Sequence, residues 1–430
     1  MENNINNFKI LYLVILPDVG GGLIHLLEIL NFNFNYDLLY LIYDGKYDTA
    51  GTIFPAEILW RQNIIKPPEL EELDKKNHKI IKININSVDR LLLLPGMILS
   101  FYFKICRLKK KLLMEKINEE KAIGDRKNIF YHLIEKPIIS LYNKLLPIVL
   151  AKNIHPEKYD IIHIFSINIC YSVMARVAQK TGKKTIITPL WHIGENKKEC
   201  IEEFLPYYEA ITVSTQSEKD FFVNLGVGEN KIIIIPPPIK APETEIKIDF
   251  KKERNISGKI VLFIGNQTAK KGIHLILEAT EKIWIESPKT FFVFIGPKSK
   301  EELLTEIKDR RIINLGYVDE EVKKSALAAC DIFCLPSRCE SFGMVYAEAF
   351  HFKKPVIALN TPVSRDVIEK FEAGFLVNNA EELAEKIIFI FNNPNQAEKM
   401  GNNGYNSLKN YEPELIKNKL GALYEKIMEK

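Results

Sequence analysis

The chain has 430 residues, of which 47% are hydrophobic and 27% charged, and carries a formal net charge of +4. That length holds two or three domains of ordinary size, and the balance is that of a soluble globular protein. The charge is too mild to argue for a nucleic-acid partner. Six scattered cysteines, with Cys330, Cys334 and Cys339 the only cluster and no Cys-x-x-Cys pair, argue against zinc and for small core residues in a reducing compartment.

Met1 to Asn7 is polar and lacks an apolar signal core, so export is not expected. Phe8 to Leu16 is a continuous apolar run, as a central parallel strand covered on both faces would be. Pro17 to Val19 turns into Gly20, Gly21 and Gly22, and Leu23 to Leu30 continues at helical spacing. Glycines at a helix start allow close approach of a ligand to the backbone. Three in a row do not make a dinucleotide fingerprint. His25 lies on that helix, where a lone histidine is more often a packed residue than a catalytic one.

Leu38 to Tyr43 and Lys79 to Ile85 read as further strands. Leu91 to Cys106 is apolar but interrupted, and it falls short of the ~20 residues that span a bilayer. The stretch on to Ile117 is basic and amphipathic, with Lys109, Lys110 and Lys111 at its centre. It suits an anionic membrane surface, or equally a helix packed on the first domain with a solvated lysine face. Asp160 to Ser166 and Lys184 to His192 return to the strand–loop–helix rhythm. They place His163 and His192 near strand ends, where ligands of open α/β sheets bind.

Ala210 to Ser214 and Lys231 to Ile235 read as strands flanking a helix, Glu218 to Leu225. Pro236, Pro237 and Pro238, with the charged run to Arg254, read as an interdomain linker. The alternation then resumes. Strands are expected at 260–264, 291–295, 312–315, 332–335, 356–359 and 374–377, and helices at 272–286, 322–329, 344–351 and 412–428. Two strand–helix halves joined by a linker give an α/β protein of two Rossmann-like domains facing a cleft.

The stretch Leu335 to Phe350 carries the chemistry. Pro336 and Ser337 end a buried strand, Glu340 stands in the loop, and helical spacing resumes at Met344. Ser341, Phe342 and Gly343 therefore sit where strand gives way to helix, and the free backbone N–H groups there make an anion seat. Glu340 and Glu348, with seven residues between them, suit the hydroxyls of a ribose or sugar. A phosphate beside a polyol describes a nucleotide sugar.

This frame, Pro-Ser…Glu-Ser-Phe-Gly…Glu-Ala, resembles that of the family 4 retaining glycosyltransferases of the GT-B fold, the glycosyl transferases group 1. Gly20, Gly21 and His25 are similar to that family's Gly-Gly-x-x-x-His, and Thr188 to His192 to its loop that brings a histidine to the donor sugar. Gly265 to Gly272 is similar to its Gly-Arg…Lys-Gly loop, with Lys271 on the family's lysine and Asn266 where most members have arginine. Pro237 and Pro238 replace the usual Asn-Gly, and Lys353 or Lys354 stands where a glycine is usual.

The resemblance implies a glycosyltransferase that uses a nucleoside diphosphate sugar, needs no metal or other cofactor, and retains configuration. It implies His192, Glu340 and Lys271 as catalytic residues and His25 on the acceptor side. It implies a donor site of Gly21, Gly22, Gly265, Asn266, Lys271, Tyr317, Val318, Ser341, Phe342, Gly343, Met344, Val345 and Glu348. Domains of 1–238 and 239–411 are expected, with helix 412–430 crossing back onto the first. The acceptor would be a glycan or a lipid-linked one, and the protein cytoplasmic, peripheral on the inner face of the cell membrane. An epimerase-type or non-catalytic nucleotide-sugar-binding protein on the same fold is the alternative, and Asn266 is its best argument.

Overall fold

The computed structural model describes residues 8–16, 21–32, 34–42, 79–80, 155–166, 182–191, 208–242, 245–297 and 309–429. His192, Gly20 and the basic amphipathic stretch 91–117 lie outside the described residues. Among those described, no helix is long and apolar enough to cross a membrane.

The first sheet has seven strands: β1 (Ile10–Leu16), β2 (Tyr36–Ile42), β3 (Lys79–Ile80), β4 (Ile161–Ser166), β5 (Lys184–Thr188), β6 (Ala210–Val213) and β7 (Ile232–Ile234). Their order across the sheet is β3-β2-β1-β4-β5-β6-β7. The second sheet has six: β8 (Lys259–Ile264), β9 (Thr290–Ile295), β10 (Ile312–Gly316), β11 (Ile332–Leu335), β12 (Val356–Leu359) and β13 (Gly374–Val377), in the order β10-β9-β8-β11-β12-β13. Every pairing is parallel. Parallel strands buried on both faces explain runs such as Ile-Val-Leu-Phe at 260–263, all within the second core.

In each sheet the strand order reverses once, between β1 and β4 and between β8 and β11. Loops leaving two such neighbours run to opposite faces and open a crevice at the strands' C-terminal ends. The motifs at 265–272 and 336–343 follow β8 and β11, so topology alone brings them together.

The helices that matter for the site are α1 (Gly21–Leu30), α2 (Gln216–Asn224), α3 (Ile273–Glu286), α4 (Glu320–Ala329), α5 (Met344–His351), α6 (Pro362–Val367) and α7 (Pro413–Met428). Helix α7 buries Ile416, Leu420, Leu423, Tyr424 and Ile427 in the core of the first sheet, beside Ile10, Tyr12, Ile161 and Phe165. A polar chain runs through this core. Tyr424 Oη lies 2.9 Å from Tyr12 Oη and 2.7 Å from His163 Nδ1. The other ring nitrogen of His163 lies 2.8 Å from Thr188 Oγ1, which in turn meets the Thr212 hydroxyl.

His163 is thus no cleft residue, contrary to the expectation from its place near a strand end. Both of its nitrogens are occupied and 1% of its surface is exposed. The junction at 236–239 also differs from a solvated linker. Pro236, Pro237, Pro238 and Ile239 are buried, and Ile239 N–H donates to the Tyr411 carbonyl at 2.8 Å. Prolines have no N–H, so a buried run of them leaves no orphan donor.

Candidate donor site

Glu340 and Lys271 meet at the crevice. Lys271 Nζ donates to Glu340 Oε1 at 2.6 Å and to the Cys339 carbonyl at 3.3 Å. Both side chains are mostly sheltered, Lys271 at 24% and Glu340 at 14% exposed, which strengthens their attraction over that of a surface pair. The loops also meet through their backbones, where Arg338 N–H donates to the Lys270 carbonyl at 3.0 Å. Gly272 is left-handed, and a Cβ on it would lie 2.1 Å from the Pro336 carbonyl oxygen. Only glycine permits that contact.

Gly343 is the N-cap of α5, also left-handed, with no side chain capping the helix. A Cβ there would strike the Tyr346 ring at 2.4 Å. Tyr346 is itself fixed by donating its hydroxyl to the Leu335 carbonyl at 3.0 Å. The start of α5 therefore offers backbone N–H groups and the positive end of the helix dipole, with Met344 and Val345 in its first turn. Phe342 is buried edge-on to Tyr411, 5.1 Å between ring centres, while Ser341 is half-buried.

Glu348 faces α4. Its Oε2 lies 3.1 Å from Lys323 Nζ, which also pairs with Glu320 at 3.0 Å. Burial raises the Glu348 carboxyl above its ordinary value, and Lys323 opposes the rise. No local pattern marks Lys323, because Glu320 to Lys324 has the composition of a solvated helix start. Gln267 and Asn314 are unmarked as well. They hydrogen-bond reciprocally at 2.7 and 3.1 Å, and Gln267 also donates to the Gly296 carbonyl at 3.1 Å. These amides tie the loop after β8, which carries Gly265 and Asn266, to the ends of β9 and β10. Asn266 is exposed on that loop, Tyr317 stands 84% exposed after β10, and Val318 packs on the core.

In the first domain Gly21 and Gly22 open α1 rather than forming the turn before it. His25 is buried at 3% exposure with Phe165 edge-on at 5.8 Å, and burial drives its pKa down to about 3. It is a neutral imidazole. Along the Thr188–His192 segment, Thr188 is held by His163 and Leu190 is buried in the left-handed region at φ 48°. Trp191 is buried and stacks on Phe221. A non-glycine residue so strained persists only where its surroundings hold it.

Residues 244–407 match the family model described as glycosyl transferases group 1. A Klebsiella pneumoniae protein of 41.2 kDa from the cps region is 28% identical over 260 residues, which is 56% of this chain and 71% of that one. The phosphatidyl-myo-inositol mannosyltransferase of Mycobacterium leprae is 27% identical over 176 residues, 40% of this chain. That match spans 47% of the mannosyltransferase, so the chain covers about half the length of such relatives. Among solved structures, Anabaena HepE in complex with UDP and glucose superposes with a TM-score of 0.66 at 13% identity, covering 97% of this chain and 100% of that one. Residues 244–407 are therefore similar to the group 1 glycosyl transferases, and the chain as a whole has the GT-B fold.

Proposed function

We propose that this chain transfers a hexosyl group from a nucleoside diphosphate sugar to a hydroxyl of a glycan or lipid-linked acceptor, retaining configuration and using no metal. The observation that carries the reading is the Lys271–Glu340 pair beside the uncapped start of α5. Breaking the donor's glycosidic C–O bond builds charge on the departing diphosphate. Lys271, the N–H groups of Met344 and Val345, and the helix dipole stabilise that charge. Glu340 holds sugar hydroxyls, the Gly343 N–H serves the same ring, and Glu348 holds the ribose. The backbone at Tyr317 and Val318 grips the base.

From the first domain, His192 reaches the sugar near its C6 hydroxyl, Gly21 and Gly22 approach the donor, and His25 lies on the acceptor side. The acceptor hydroxyl attacks the face that the diphosphate leaves, and the phosphate takes its proton. The sugar and UDP bound to the Anabaena neighbour, and the activity named for the mannosyltransferases, support this reading.

A transfer assay over UDP-, GDP- and ADP-hexoses tests it, with the product's anomeric configuration read by NMR and a chelator arm. One donor should give a retained anomer at a rate EDTA does not change. Failure of every donor, or an inverted product, overturns it. We also place residues 91–117 on an anionic membrane surface. The protein should then sediment with anionic vesicles at low salt and release as salt rises, and Gln at 109, 110 and 111 should weaken binding. No sedimentation at any salt leaves a soluble acceptor as the better reading.

A further inference from the structure

We propose that Glu218 is a positioning residue for this reaction, one that fixes the backbone leading into His192 and does so where the second domain meets the first. The proposal rests on the transferase reading above for its kinetic arm alone.

Glu218 belongs to the first turn of α2 and is 1% exposed. Its two carboxyl oxygens do different work. Oε2 accepts the Ser214 N–H at 2.7 Å, beside the helix start. Oε1 reaches back across 27 residues to accept the Trp191 N–H at 3.2 Å. Trp191 is also gripped from α2 by the stack on Phe221, and it follows the strained Leu190. His192 is the next residue in the chain.

The neighbour of Glu218 faces the other domain. Ser217 N–H donates to Asp366 Oδ2 at 2.7 Å, and Ser217 Oγ donates to the Pro362 carbonyl at 2.9 Å. Both acceptors belong to α6 of the second domain. One helix turn therefore touches the second domain at Ser217 and holds the Trp191 segment at Glu218.

A helix cap alone does not account for this carboxyl group. Thr215 already caps α2, its hydroxyl accepting the Glu218 N–H at 3.2 Å. Burial of an acid is costly, and it pushes the Glu218 pKa up to about 8. A local cap could be built from a neutral side chain without that cost. What the carboxyl group adds is the second oxygen and the long reach to Trp191.

Three variants separate positioning from folding: Glu218→Gln, Glu218→Asp and Thr215→Ala. Glu218→Gln keeps the size but can accept with one oxygen only. Its kcat should fall about tenfold to a hundredfold, since displacement of about 1 Å costs on that order. Donor KM and nucleoside diphosphate affinity should stay within about twofold, because the diphosphate is held by the second domain. Thr215→Ala should lower Tm and leave kcat alone. Glu218→Asp, which keeps the carboxyl group and shortens the reach, repeats the kcat loss should the glutamine variant fold poorly.

A second readout needs no turnover. In a protein whose sole tryptophan is Trp191 (Trp60→Phe, Trp284→Phe), Glu218→Gln should make the indole more accessible to acrylamide, and Thr215→Ala should not. Wild-type kcat in both Glu218 variants, or unchanged quenching, overturns the proposal. So does a kcat loss in Thr215→Ala as large as that in Glu218→Gln. A wild-type protein inert on every donor, but with the quenching difference present, refutes the transferase reading and leaves the loop-holding role standing.

Discussion

At the scale of single residues the candidate site is a set of paired charges. Lys271 neutralises Glu340 and Lys323 neutralises Glu348, so neither carboxylate is left bare in a sheltered place. Asn266 supplies no charge where the family's arginine would, and a lysine is a point charge without a bidentate fork. On the proposed reading, Lys271 carries the diphosphate together with the helix start. Lys271→Ala should cut kcat/KM roughly a hundredfold or more, the scale of a lost group that stabilises developing charge. Asn266→Arg should leave transfer unchanged or raise it. Normal transfer by Lys271→Ala, with folding checked by Tm, removes Lys271 from the mechanism.

At the scale of elements, two buried imidazoles set how the first sheet responds to acid. Burial lowers His25 and His163 to about 3, and repulsion from His25 once it is protonated adds to the effect on His163. Each folded value lies below the unfolded value of ~6.5. The unfolded chain therefore binds more protons between those limits, and stability present above pH ~6.5 drains as pH falls toward 3. Each histidine contributes up to about 1.4 kcal/mol per pH unit in that window. Glu218 works the other way. Its value is raised by burial to about 8, so the folded state binds more protons than the unfolded one from the ordinary carboxylate range up to there. Its contribution is lost as pH rises through that interval. Urea unfolding should show stability falling from pH 6.5 to pH 5, and His163→Gln should flatten that slope. An unchanged slope in the variant would remove His163 as a source.

The same elements show what was legible in the chain itself. Strand 332–335, helix 344–351 and strands 356–359 and 374–377 have the bounds that apolar runs between Pro and Gly imply. Lys353 adopts φ 52°, the left-handed conformation for which a family glycine would be the unstrained choice. Depth is what a linear pattern hides. His163 lies on a strand, and one of its ring nitrogens is taken by Tyr424 of α7, from the far end of the chain. The pairs Gln267–Asn314 and Lys323–Glu348 join residues 47 and 25 positions apart, and no local spacing records them. The prolines at 236–238 look like solvated linker chemistry, yet the junction packs them.

At the scale of the whole molecule, α7 ties the domains together, alongside the junction at 236–239 and the Ser217 contact with α6. It leaves the second domain at Tyr411, whose carbonyl holds Ile239, and then lies in the first domain's core. Its deepest polar group, the Tyr424 hydroxyl, joins Tyr12 and His163, and through Thr188 it reaches the strand end that leads to Trp191. A helix that begins in one domain and completes the core of the other makes the two unfold together. Tyr424→Phe keeps the ring and its edge-on contact with Phe34 but leaves the buried Tyr12 and His163 groups short of a partner. That loss costs about 1–3 kcal/mol. The urea midpoint should drop with the slope m unchanged, since no less surface is exposed on unfolding. A chain ended after Tyr411 should instead lose the first domain's fold and show a separate, broader transition. A wild-type midpoint in Tyr424→Phe would mean that α7 is held by its apolar face alone, with the polar chain contributing nothing to the tie.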